Sequence, residues 1–229
     1  MRQRFLTTFL VLFTLLSVGC ATRTEMAFKN DADRITEKSK PIYLMTATIK
    51  NNYKNSWPPE TRVVYVEKAG ATKSEDRLNF LIDPKAKNDA TNVALGSSYL
   101  IRMEIEPGQY VIRGLGSSAN SFPILGNFFT PIHADLSSKD AGVFYLGRVT
   151  ATVRERQGNE FKAGPSVPLI DQAVVGASGG TFDVAISDEF TADETVFRNK
   201  FPALKDVKIQ KSILPPFDRA KAQQWWEAN

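Results

Sequence analysis

The chain has 229 residues, 42% hydrophobic and 24% charged. Its 29 Lys and Arg against 25 Asp and Glu give a formal charge of +4, with no block of five or more like charges, so charge offers no argument for nucleic acid. Cys20 is the sole cysteine, which excludes an intrachain disulfide framework and cysteine-based zinc sites.

The first elements are a short basic start, Met1-Arg2-Gln3-Arg4, and an uncharged run of 14 residues from Phe5 to Val18. A spanning helix needs roughly 20 apolar residues. The pattern therefore reads as a secretory signal, with Gly19 as the small residue at the cut. Leu16-Ser17-Val18-Gly19-Cys20 resembles the bacterial lipobox, with Ser17 at the position where Leu is commonest. The resemblance implies cleavage before Cys20 and acylation of its thiol; the alternative is an ordinary secretory signal. It also implies a lipid-anchored protein of the Gram-negative outer membrane, facing the periplasm. Ala21 follows the cysteine in place of the Asp that commonly holds such proteins at the inner membrane. Two or more acyl chains make such anchoring firm. The mature chain would keep 210 residues, with 27 basic and 25 acidic side chains. A chain of this length buries about 70% of its unfolded surface and folds without covalent staples.

Residues 20–40 are polar and mixed in charge, and read as a flexible tether carrying the lipidated cysteine. From Pro41 the pattern turns to short alternating segments separated by Pro, Gly and Asn. Strands are expected at Pro41–Ile49, Arg62–Glu67, Leu78–Ile82, Ser98–Glu106, Gln109–Leu115, Phe128–Leu136, Gly142–Arg156 and Thr181–Ser187. In the fourth, Tyr99, Ile101, Met103 and Ile105 share one face, and Ser98, Arg102, Glu104 and Glu106 the other, with Leu100 out of step. Pro107-Gly108 reads as a hairpin turn to Gln109–Leu115. In the long seventh strand, Val143, Tyr145, Val149, Ala151 and Val153 face inward around Gly147, Arg148 faces out, and Phe144 and Leu146 interrupt the polar side. Gln157-Gly158-Asn159 reads as a turn, after which Glu160–Ala163 continues the hairpin. Thr191 and Glu194 form a capping-box pattern before a helix whose stripe is Val196, Phe197 and Phe201, and Asp218 caps a last helix holding Trp225 and Trp226.

These elements predict an all-β, mainly antiparallel sandwich over 41–187, or a small barrel, with a helical C-terminal extension over 188–229 packed on it. Glu106-Pro107-Gly108-Gln109-Tyr110 resembles the Pro-Gly-x-Tyr segment of transthyretin-like and PEGA-type sandwich domains. Ala141–Gly147 is similar to the following strand in uncharacterised Gram-negative lipoproteins carrying such a domain. The resemblance spans about residues 41–187 and implies a fold, an Ig/transthyretin-like sandwich, with no chemistry attached.

Candidate chemistry is sparse. His133 with Asp135 is half of a hydrolase triad, and Gly176-Ala177-Ser178-Gly179-Gly180 matches G-x-S-x-G. No histidine follows Ser178, and Asp171 is the other acid available, so these residues read as a polar pair on a strand face and a glycine turn. Gly114–Ser118 reads as a loop lacking the lysine of a phosphate-binding motif. Asp183, Asp188, Glu189, Asp193 and Glu194 cluster without a metal-binding spacing, and no cofactor or metal is expected. Trp57, Trp225 and Trp226 are candidates for partner contact, or for docking of the tail. The expectation is a non-catalytic binding or scaffold module, anchored in the bilayer through Cys20 and engaging an envelope protein or glycan. The alternatives are a serine hydrolase built on Ser178 and His133, or a carrier of an apolar ligand.

Overall fold

The computed structural model describes residues 22–36, 39–88, 96–165 and 169–228. Cys20 and the signal lie outside them. Among the described residues, ten strands form two sheets facing each other, a β-sandwich. Sheet A has the order β1 (Thr22–Thr24), β4 (Arg77–Leu81), β3 (Glu60–Lys68), β6 (Gly108–Ser121) and β7 (Ile124–Ser138). Sheet B has β10 (Ile209–Lys211), β8 (Val143–Glu155), β2 (Ile42–Asn51) and β5 (Ser97–Glu104), with β9 (Gly180–Ser187) also on β8. Among the described residues the α-helices are α1 (Ile170–Val174), α2 (Phe190–Lys200) and α3 (Arg219–Ala228). All eight expected strands are present. Most pairings are antiparallel, but β1 with β4, β2 with β8 and β10 with β8 run parallel, so both sheets are mixed.

The main core lies between the sheets. Val64, Val66, Phe80, Ile112, Leu115 and Ile132 come from sheet A, and Met45, Ala47, Tyr99, Ile101, Met103 and Val149 from sheet B. A second core lies on the outer face of sheet B. There Leu44, Leu100, Val143 and Tyr145 pack against Phe197 of α2 and Phe201 and Leu204 beyond it. Leu100, out of step in sequence, belongs to this second core.

Strand β8 corrects the expected inward set. Tyr145 and Val143 face α2, whereas Phe144 and Leu146 face sheet A. Two residues of β8, Leu146 and Gly147, stand opposite Met45 alone, since Leu44 pairs with Tyr145 and Thr46 with Arg148. This bulge reverses the side-chain phase, so Val149, Ala151 and Val153 join the main core. Gly147 holds φ +106°, and a Cβ there would lie 3.0 Å from the Ser187 carbonyl oxygen.

Polar groups in the second core are paired. Asp193 of α2 is buried, accepts a 2.5 Å bond from the Tyr145 hydroxyl and pairs with Arg148. Burial, first, and the Asp193 carboxylate, second, push the Tyr145 hydroxyl far above its ordinary pKa. Arg102, expected on a solvated face, is 0% exposed. Its guanidinium pairs with Asp83, donates to the carbonyls of Ala27 (2.8 Å) and Leu100 (2.9 Å), and sits 4.2 Å above the Phe201 ring. The outward face of β5 is therefore a second interior.

Other expectations are corrected by pairing. Pro107-Gly108 closes no hairpin: β5 pairs with β2 in sheet B and β6 with β3 and β7 in sheet A, so the segment is a corner between sheets. Gly114–Ser118 is strand, inside β6. Glu160–Ala163 adds no strand, and β8 takes β9 as partner. Within the expected tether, Thr22–Thr24 pairs with β4, and Met26 and Phe28 are buried. Helix α2 starts at Phe190, whose N–H is accepted by Asp188, so Thr191 is inside the helix and not its cap. Asp218 does cap α3, accepting from the Lys221 N–H at 2.9 Å.

Gly147→Ala forces a Cβ into left-handed backbone beside a carbonyl. The expected cost is about 1–3 kcal/mol, read as a lowered urea midpoint with unchanged slope.

Candidate functional site

Strands β2 and β3 meet at one end of the sandwich, and Asn51 organises it. Asn51 is the last residue of β2 and is buried. Its Nδ2 donates to the carbonyls of Trp57 and Val175, each at 3.0 Å. Its Oδ1 accepts from the N–H groups of Tyr53 (3.2 Å) and Lys54 (2.8 Å). One amide thus uses two donors and two acceptor sites to pin the β2–β3 loop and the residue after α1. Trp57, half-buried, packs against the main core from that loop.

Two clefts flank exposed Pro58. One, of about 180 Å³, runs past Trp57 to Asn120 and Ser121 at the end of β6. The other, of about 320 Å³, is lined by Asn52, Asn55 and Lys50. Gly96 forms its floor: a Cβ there would meet the Ile49 carbonyl oxygen at 2.3 Å. The single carboxylate of the first cleft, Glu60, is neutralised by Arg62 at 2.7 Å and Lys87 at 3.6 Å. The combination is a fixed indole among neutral hydroxyls and amides.

The same end carries an apolar tip. Phe122, in the β6–β7 turn, is 100% exposed, and Leu125, Leu169 and Ile170 (80%) are exposed as well. The free edge of β7 beside it is closed by the chain itself: Leu125 N–H donates to Asp171, Asn127 N–H to Gln172 and Phe129 N–H to the Ala163 carbonyl. Glu160–Ala163, expected to pair as a strand, thus leads into this edge cap.

The structure separates the sequence candidates. Trp57 stands at the clefts. Trp225 of α3 lies over sheet A, 4.8 Å from the His133 ring and 5.4 Å from that of Phe129, and Trp226 packs on the main core. His133 is 3% exposed at φ +49°, and among the described residues neither ring nitrogen has a hydrogen-bond partner. Asp135 is exposed and pairs with Lys221 at 3.3 Å, while Asp171 caps Leu125. With no partner on either His133 nitrogen, Ser178, Asp135 and Asp171 are out of hydrogen-bond reach, so no Ser-His-Asp array is assembled. Asp183 pairs with Arg154, Asp188 with Lys211, Asp193 with Arg148 and Glu194 with Arg198, each acid turned to a cation. Among the described residues no helix is long and apolar enough to cross a membrane.

Sequence reasoning missed Asn51 and Phe122. An Asn at a strand end is commonplace, and only the loop closing over Asn51 reveals its role. Phe122 beside Pro123 is a turn signal, but whether a turn residue stays exposed depends on what packs there.

No family model matches the chain, and no curated protein matches. Two solved structures are similar to it. One is a "putative cell adhesion protein" from Bacteroides eggerthii DSM 20697, with 13% identity over 64% of this chain and a TM-score of 0.25. The other is catechol 1,2-dioxygenase from Pseudomonas arvilla C-1, with 9% identity over 90% of this chain and a TM-score of 0.20. The chain spans 55% and 61% of their respective lengths.

Burial, with lesser repulsion from Arg113 and Lys221, lowers the His133 pKa to about 4. The folded value lies below the unfolded value of about 6.5, so the neutral imidazole favours folding. Stability is full above pH 6.5 and is lost as pH falls toward 4, by roughly 2–3 kcal/mol. His133→Asn, which tolerates positive φ, is expected to remove that slope from urea midpoints measured between pH 7 and 4. Asn51→Ala leaves two backbone carbonyls and two N–H groups without their partner. It is expected to cost about 2–3 kcal/mol and to shift Trp57 fluorescence, measured in a Trp225→Phe, Trp226→Phe background.

Proposed function

We propose that the protein is a lipid-anchored protein of the Gram-negative envelope and a non-catalytic binding module, using the β2–β3 end of the sandwich for recognition. Acylated Cys20, on the outer membrane and facing the periplasm, is the anchor in this reading. The resemblances at Glu106–Tyr110 and Ala141–Gly147 to transthyretin-like and PEGA-type lipoproteins belong to the same reading.

One observation carries it: an end with two clefts and a fully exposed Phe122 lies far from the point where the chain enters the fold. Thr22 shares its register with Leu78, Val66 and Ile112. Phe122 is ten residues further along β6 than Ile112, about 33 Å at 3.3 Å per residue. Two residues on from Cys20, Thr22 would be held near the bilayer, and the recognition end would project into the periplasm. Trp57 is favoured over Trp225 and Trp226 as a contact because it alone of the three lines a cleft, although it packs against the main core as Trp226 does.

The test is metabolic labelling with a palmitate analogue, followed by affinity capture from native envelopes. Wild type is expected to incorporate label and fractionate with the outer membrane, and Cys20→Ala to do neither. An envelope component held by wild type and lost in Trp57→Ala or Phe122→Ser supports the reading. An unlabelled Cys20, or turnover abolished by a single substitution in a cleft, overturns it.

A further inference from the structure

We propose that the groove formed by the two clefts across Pro58 binds a neutral, linear carbohydrate, with a sugar ring against Trp57. This rests on the binding-module reading above and names the ligand class for that end.

Four observations point there. First, the groove presents Asn52, Asn55, Asn120 and Ser121, all exposed and uncharged. Amides and hydroxyls both donate and accept, as sugar hydroxyls do. Second, Trp57 offers an apolar aromatic surface among them, and a sugar ring presents a C–H face to an indole and its hydroxyls to the rim. Third, charge does not favour an ionic ligand. The Glu60 carboxylate is already matched by Arg62 and Lys87, and Lys50 alone among the groove's side chains adds a cation. Fourth, the frame is preorganised. Asn51 fixes the loop by three hydrogen bonds and ties it to Val175 by a fourth, so little ordering cost falls on binding.

The placement of the clefts favours a linear ligand. The clefts are shallow and lie on either side of Pro58, each with room for a ring-sized group. A chain of two or more rings occupies both by crossing Pro58. An apolar ligand would instead need a dry, enclosed chamber, and the space between the sheets is filled by side chains.

The experiment uses the mature chain from residue 20 with Cys20→Ala. It is titrated with three tetrasaccharides, β-1,4-linked N-acetylglucosamine, β-1,4-linked glucose and α-1,4-linked glucose, and with inorganic phosphate. Binding is read from the Trp57 indole N–H signal, assigned with Trp57→Phe, and by calorimetry. The expected result is saturable binding of at least one tetrasaccharide, with Kd of about 1 mM or tighter, and none of phosphate. Trp57→Ala should weaken it at least tenfold. Asn120→Ala, an exposed substitution that leaves the thermal midpoint in place, should weaken it at least threefold.

Absence of binding by all three sugars up to about 10 mM overturns the proposal, as does binding indifferent to both substitutions. If the sugars fail but an envelope protein is captured through Trp57 or Phe122, the carbohydrate assignment falls and the binding-module reading stands. If sugars and capture both fail, both fall.

Discussion

Sheet B is apolar on both faces, and most of the rest of the molecule exists to cover it. The cause is an unbroken apolar run in β8, with Phe144 and Leu146 toward sheet A and Val143 and Tyr145 away from it, ahead of the phase reversal at Gly147. Before it, Val143 and Tyr145 point away from sheet A; after it, Val149, Ala151 and Val153 point toward sheet A. Leu44 and Leu100 on neighbouring strands extend the outward patch. Left open, such a patch would favour association, so it demands a cover. Helix α2, the turn at Pro202–Leu204 and β10 supply one. This accounts for the C-terminal segment packing as part of the domain and for the buried pairing of Tyr145, Arg148 and Asp193 beneath α2.

Arg102 shows the same constraint at the sheet's edge. On a solvated strand its guanidinium would face water. Here it lies under Phe201, so desolvation lowers its pKa from the free value, and the nearby Asp83 carboxylate opposes that shift. Removing water from a guanidinium is tolerable only when its donors are used, and Asp83, Ala27 and Leu100 use them. Residues 22–28 are drawn into the fold by the same requirement, with the Ala27 carbonyl accepting from Arg102 and Phe28 packing beside Phe201.

The strands were legible because alternation at period two is a local signal, as Tyr99 to Ile105 shows. Their pairing was not, because a Pro-Gly corner reads alike whether the chain returns within one sheet or crosses to the other. Ile105 N–H bonding to the Pro41 carbonyl decides it, and that partner lies 64 residues away. Phe144 and Leu146 looked like interruptions of one pattern, although they are the end of another, and a bulge leaves no mark in the sequence beyond its glycine. The candidate site was legible only in Trp57. Its neighbours Asn120 and Ser121 come from β6, and their meeting with the β2–β3 loop is a product of topology.

The proposed recognition is assigned to the β2–β3 end because other surfaces of the described residues are already covered. The outer face of sheet B is covered by α2, the edge of β7 by Ala163, Asp171 and Gln172, and part of the outer face of sheet A by Trp225. At the opposite end, exposed charges form pairs such as Lys40 with Glu106 and Lys68 with Asp76. Such pairs add little stability, and each charge brought out of water by a partner carries a desolvation cost. Hydroxyls, amides, an indole and a bare phenyl ring lose water at far lower cost. The β2–β3 end has ion pairs of its own, Glu60 with Arg62 and Lys87, but it adds the neutral groups around Trp57 and the exposed Phe122, which in the proposed reading are the parts most readily dehydrated.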